Sequence, residues 1–175
     1  LFPKDDRMNS AFIDIPREIL SHAIAVNGDG SIFAIKPDHS LWVWGHWGAQ
    51  RGDAGRKDTL IPRKVMNDVV SQFNNYHTLA LQKDGTLWAW GDSQCGALGI
   101  GNRTKHVNPV KVKLQPLGQR KVTKIAVRWG ESYIVADDGT VWYAGEFNIN
   151  QAECLDPPHL VPTRVTNIDN VADIA

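Results

Sequence analysis

The chain has 175 residues, of which 42% are hydrophobic and 22% are charged, and its 19 acidic and 19 basic residues give no net charge. This composition supplies enough apolar side chain for a globular core. It excludes a membrane-spanning helix, because no apolar run approaches the roughly 18 residues that such a helix needs. Helix signals are scarce, and nine Pro and fifteen Gly separate short apolar runs. We therefore expect a soluble, all-β protein with no insertion into a membrane.

One short block occurs three times along the chain, each time directly after a turn that contains an Asp. Its copies are Ser40–Gly45, Thr86–Gly91 and Thr140–Gly145. Four prolines recur at nearly the same spacing as this block: Pro16, Pro62, Pro109 and Pro162. A unit of roughly 50 residues that repeats in this way predicts a repeat architecture.

Each unit has the pattern of a β-hairpin. In the middle unit, the run His77–Leu81 leads into a turn at Gly85 and returns over Leu87–Trp90. Gly139 fills the same turn position in the third unit, whereas the first unit has His39, which can also hold the left-handed conformation. Apolar and polar residues alternate only weakly, which indicates sheets buried on both faces. Blades stacked around the axis of a β-propeller meet that condition.

The two cysteines, Cys95 and Cys154, offer one pairing and no spacing suited to a metal. One pair in a chain of this size does not make a disulfide framework, so we expect two ordinary thiols. No constellation of catalytic residues is evident either. We therefore expect no cofactor, no metal site and no enzymatic activity.

The middle unit resembles a repeat of the regulator of chromosome condensation family. The resemblance rests on four segments: Asn75–Leu81, Lys83–Asp92, Gly96–Gly101 and Pro109–Val112. It implies a seven-bladed β-propeller in which His77, Gly91 and Gly99 are framework residues. Asn74 stands where the family usually has Gly, and Ala97 where it usually has Gln, so the resemblance implies the fold more strongly than any one function.

The repeat divides the chain into an N-terminal stub, three repeats or blades, and the start of a fourth repeat: residues 1–15, 16–61, 62–108, 109–161 and 162–175. Seven blades of this length need about 350 residues, so we expect an incomplete ring. Val171–Ala175 resembles the strand Val122–Ala126. We therefore expect a fragment that continues into the rest of a propeller or associates with itself through its first and third blades.

Propellers host many functions, and members of this family include exchange factors for the Ran GTPase that bind chromatin, a plant ultraviolet-B photoreceptor, a bacterial β-lactamase inhibitor and bacterial envelope proteins. Most of these roles are protein binding. We expect a non-enzymatic interaction scaffold that binds a protein partner through loops on the blade rims. A nucleotide exchange or chromatin-associated module and a secreted enzyme inhibitor are the alternatives. The compartment is correspondingly either intracellular or extracytoplasmic and bacterial.

Charge is locally uneven, because residues 93–130 contain no acidic side chain. Eight cations lie in this stretch: Arg103, Lys105, Lys111, Lys113, Arg120, Lys121, Lys124 and Arg128. They could steer an acidic partner or form a solvated face. Trp129 lies outside the repeated tryptophan positions and is a candidate contact residue. Because it is the one aromatic residue between Trp90 and Tyr133, we do not expect binding of single-stranded nucleic acid by stacking.

Overall fold

The computed structural model describes residues 20–46, 51–52, 59–148, 153–154 and 158–174, and the structural statements below concern these residues. The predicted N-terminal stub and Pro16 lie outside them. The described structure contains three four-stranded antiparallel sheets and one two-stranded hairpin. In this part of the chain no helix has the length and apolar character needed to cross a membrane.

The sheets follow one another along the sequence. The first contains β1 (Ala25–Asp29), β2 (Ser31–Ile35), β3 (Leu41–Gly45) and β4 (Thr59–Met66). The second contains β5 (Val69–Asn74), β6 (His77–Gln82), β7 (Leu87–Gly91) and β8 (His106–Lys111). The third contains β9 (Val122–Arg128), β10 (Glu131–Ala136), β11 (Val141–Ala144) and β14 (Thr163–Arg164). Between β11 and β14 the chain forms a separate hairpin of β12 (Phe147–Asn148) and β13 (Glu153–Cys154). A 3-10 turn at Gln115–Leu117 lies between the second and third sheets.

The repeated block forms the third strand of every sheet, as the sequence predicts. β3, β7 and β11 pair with β2, β6 and β10 in the same antiparallel register. Equivalent cross-strand partners are Phe33 with Val43, Leu79 with Ala89, and Tyr133 with Tyr143. The fourth strand, however, crosses the end of the predicted repeat in the first two sheets and lies beyond it in the third. The sequence repeat and the sheet are thus out of phase, and the repeat boundaries stay a prediction.

The turn before each block is held by the same side-chain contact. The Oδ1 atoms of Asp38, Asp84 and Asp138 accept hydrogen bonds from the backbone N–H two residues later, at 2.9, 2.9 and 3.1 Å. Such Asx turns stabilise a tight reversal. The left-handed position follows at once, and His39, with φ of 61°, takes it as predicted where the other units have glycine.

The middle sheet is buried on both faces, which explains its weak alternation. One face presents Leu79 and Leu87 to a core shared with the third sheet, where Ile125 and Ile134 pack. On its other face Trp90 is fully buried in a core shared with the first sheet. This is the stacking of adjacent blades in a propeller whose ring is not closed.

The cysteines correct one expectation from the sequence. Cys95 and Cys154 are joined in a disulfide, with their Cα atoms 5.0 Å apart, and are not ordinary thiols. Cys95 lies in the loop after β7, and Cys154 lies in the segment after β11. These are equivalent connections of neighbouring blades, so stacking the blades brings together two residues that are 59 positions apart.

Candidate functional site

A cleft of about 230 Å³ opens between the second and third blades. Three connections form it: the turn between β5 and β6, the loop after β7, and the turn between β9 and β10. Its lining consists of Tyr76, Asp92, Ser93, Gln94, Cys95, Ala97, Trp129 and Gly130. The cleft lies at one end of the blades because all three connections leave the sheets at that end.

Two aromatic side chains dominate the cleft. Tyr76 is 55% exposed and Trp129 is 45% exposed, although both are large apolar residues. Their ring centroids lie 6.2 Å apart, and the ring planes are inclined by 49°. Trp129 has a φ of 31°, which non-glycine residues adopt at a cost and which tends to mark functional turns. The rings thus offer apolar surface to a binding partner.

The polar groups of the cleft come from the loop after β7. The Oδ1 atom of Asp92 accepts a hydrogen bond of 2.8 Å from the N–H of Gln94. Ser93 is only 1% exposed, and its hydroxyl has no hydrogen-bond partner among the described residues. A buried hydroxyl without a partner is costly, and Ser93 is one of the residues that line the cleft.

A buried hydrogen-bond relay joins the two blades beside the cleft. The Oγ of Ser132 donates to the carbonyl oxygen of Ala97 at 2.6 Å and lies 2.8 Å from Nε2 of His77. Because the single Ser132 hydroxyl proton goes to Ala97, the Nε2–H of His77 donates to Ser132. Burial lowers the pKa of His77 to about 4, against the opposing charge of Asp92, so this imidazole is neutral at pH 7. His77 therefore connects blades, which is the framework role that the resemblance implies.

Of the nine predicted contact residues, Trp129 lines the cleft. Four of the eight cations make specific contacts elsewhere. Lys111 lies with Nζ 5.4 Å from the ring centroid of Trp88, and Lys113 packs over Gly101. Arg120 forms an ion pair with Asp138, and Nζ of Lys124 lies 3.4 Å from Asp173. All eight cations are exposed, and the other four are Arg103, Lys105, Lys121 and Arg128.

The cations lie on different elements. Lys111 ends β8 at one edge of the second sheet, whereas Lys124 lies in β9, the first strand of the third sheet. Tyr76 and Asp92 were not predicted as contact residues, because both lie within the family-like segments and there look like part of the framework. Among the described residues no group of His, Cys, Asp and Glu is arranged to hold a metal ion.

Comparisons with known proteins agree with this architecture. Residues 84–133 match the sequence model of the regulator of chromosome condensation repeat. Prp20p of Saccharomyces cerevisiae is 21% identical, with a TM-score of 0.63 over 83% of this chain and 39% of its own. Human WBSCR16 is 20% identical, with a TM-score of 0.68 over 85% of this chain and 39% of its own.

A second structure of the yeast protein, named yeast RCC1 (Prp20) and bound to Kap60, is 20% identical, with a TM-score of 0.67 over 88% of this chain. The chain therefore spans about two fifths, or 39%, of the length of these proteins. No sequence among the curated proteins matches it. At this identity the similarities show the fold, and with the sequence match they show that the chain carries a regulator of chromosome condensation repeat within blades of that family's β-propeller fold.

Proposed function

We propose that this chain is a non-enzymatic protein-interaction module that binds a protein partner at the cleft between its second and third blades. The observation that carries the proposal is the pair of half-exposed aromatic side chains, Tyr76 and Trp129, in one concave site. Aromatic residues in a concave, largely apolar site supply much of the binding energy in protein interfaces.

The surroundings of the cleft suit a preformed binding site. The relay from His77 to Ser132 and the disulfide from Cys95 each tie the second blade to the third. A site held in its bound geometry loses less entropy when a partner docks. Protein binding also has a precedent in this fold, since the yeast structures concern binding of Prp20p to Gsp1p and histones and a complex with Kap60.

Site-specific crosslinking tests the proposal. A photoreactive p-benzoylphenylalanine replaces Tyr76 in one variant and Val70 in the other. Val70 is 45% exposed at the opposite end of β5, so it is a matched control on the same blade. We expect one protein from the native lysate to crosslink at position 76 and not at 70, and to be lost when Trp129→Ala is added. Equal crosslinking at both positions, or none at 76, would contradict the proposal.

Nucleotide exchange or chromatin association is a second candidate. It rests on the eight cations of residues 103–128 and on the histone binding reported for the yeast relative. A partner bound in this way would lose affinity steeply as salt concentration rises, because exposed charges act through screened fields. Binding that is insensitive to salt would exclude this candidate, and binding at the cleft of Tyr76 and Trp129 would remain as the proposal.

The disulfide favours the third alternative, a secreted inhibitor, because disulfides persist in oxidising compartments. Rapid alkylation of the native protein followed by mass spectrometry would test it. Cys95 and Cys154 should be protected from alkylation if the protein resides outside the cytosol. Alkylation of both cysteines would place the native protein in a reducing compartment.

A further inference from the structure

The chemistry of the cleft between the second and third blades indicates which side chain of a partner it receives. Tyr76 and Trp129 supply two ring faces. Asp92 adds a carboxylate, and among the described residues its Oδ1 is bound by Gln94 whereas its Oδ2 makes no hydrogen bond. Aromatic faces beside a carboxylate attract cations, because both present negative potential.

The hydroxyl of Ser93 is a second, independent observation. It is 1% exposed, lines the cleft and lacks a hydrogen-bond partner among the described residues. A hydroxyl has two acceptor sites, so a ligand that brings N–H donors would satisfy it together with Asp92. A ligand without donors would leave the Ser93 hydroxyl unpaired and would displace water from the Asp92 carboxylate without replacing its hydrogen bonds.

No described residue of the lining carries a positive charge that would oppose a cation. Among the residues that the structure describes, the lining contains no Lys, Arg or His. The neighbouring His77 is buried, with its Nε2–H directed to Ser132. Arg128 precedes Trp129 but is not part of the lining. Within the described lining, Asp92 is therefore the charged group that a ligand meets.

We infer that this cleft binds an arginine side chain of a partner protein, with the guanidinium group against Tyr76 and Trp129 and its N–H groups donating to Asp92 and Ser93. Guanidinium is planar, stacks on aromatic rings, carries five donors and is weakly hydrated. A lysine ammonium ion is a strongly hydrated point charge and matches two acceptors and two rings less well. This inference rests on the proposed function, because it names the chemistry that the interaction site recognises.

Titration with a short peptide tests the inference on the whole chain. The probe is an acetylated and amidated Gly-Ser-Arg-Ser-Gly peptide, with matched peptides that carry citrulline or lysine in place of arginine. The signal is the indole N–H resonance of Trp129 in the isotope-labelled protein, assigned by its loss in Trp129→Phe. We expect the arginine peptide to shift this resonance saturably, and the citrulline and lysine peptides to bind about tenfold more weakly or worse.

Two variants separate recognition from folding. Asp92→Asn retains the Oδ1 acceptor for Gln94 but removes the charge, so the loop should persist while affinity for the arginine peptide falls about tenfold. Asp169→Asn removes the same charge outside the cleft and should leave the affinity unchanged. The inference is wrong if Trp129 does not respond, if the three peptides bind alike, or if Asp92→Asn binds as well as the parent chain.

The outcomes also distinguish this inference from the broader proposal. If position 76 crosslinks to a protein while the arginine peptide leaves Trp129 unchanged, the interaction site stands and the arginine specificity is wrong. If neither crosslinking nor a peptide shift occurs, both are wrong.

Discussion

Replacing His77 with Gln should remove much of the acid sensitivity of this protein. His77 is 1% exposed, and burial holds its pKa at about 4 in the folded state, compared with 6.5 for an ordinary histidine. Because the folded pKa is the lower one, the unfolded chain takes up the proton first as pH falls. The stability linked to His77 is therefore complete above the unfolded pKa and is lost as pH falls toward the folded pKa.

The size of this effect follows from the two pKa values. A difference of one pKa unit corresponds to about 1.4 kcal/mol, so full protonation costs about 3 kcal/mol of unfolding free energy. Between pH 7 and pH 5 the linkage relation gives a loss of about 2 kcal/mol from His77 alone. A Gln side chain can still donate to Ser132 but does not titrate, so this loss should be absent in His77→Gln.

Urea unfolding at both pH values measures the loss directly. The parent chain should lose about 2 kcal/mol more than His77→Gln between pH 7 and pH 5. His46→Gln is the control and should behave like the parent, because the side chain of His46 is exposed in the folded state as well. If the parent and His77→Gln lose the same unfolding free energy between pH 7 and pH 5, the conclusion that His77 is a buried neutral imidazole is wrong.

Three further predictions concern packing, the disulfide and charge. Trp90→Ala should lower the unfolding free energy by about 3–5 kcal/mol, because Trp90 is fully buried against Phe33. Trp129→Ala should change the unfolding free energy by less than about 1 kcal/mol, and urea titrations measure both variants. Cys154→Ser should lower it by about 4 kcal/mol, since the bond to Cys95 spans 59 positions, and a difference that persists when both proteins are reduced would contradict that origin. Reversing the charge of four cations to Glu should abolish both the binding of an acidic partner and the salt dependence of that binding. If the partner still binds, the basic stretch is a solvated surface with no role in binding. The variant changes Lys111, Lys113, Arg120 and Lys121.

Short-range patterns in the sequence were sufficient to predict the blades. The Asp turns, the positive φ at His39 and the strands after them depend on neighbours within a few residues. The register that pairs Leu79 with Ala89 follows from the length of the turn between β6 and β7. The burial of both faces was predictable as well, because continuous apolar runs such as Leu87–Trp90 leave no face free for water.

The site depended on contacts between blades, which no local pattern encodes. Tyr76 contacts Trp129, His77 contacts Ser132, and Cys95 is bonded to Cys154, across 53, 55 and 59 positions of the chain. The loops that carry these residues differ most from one repeat to the next, so periodicity alone does not predict which side chains face each other. The eight cations show the converse: they lie in one short stretch of sequence, but Lys111 and Lys124 belong to different sheets. Local propensity and burial fixed each blade, whereas the stacking of blades decided which loop residues share a cleft.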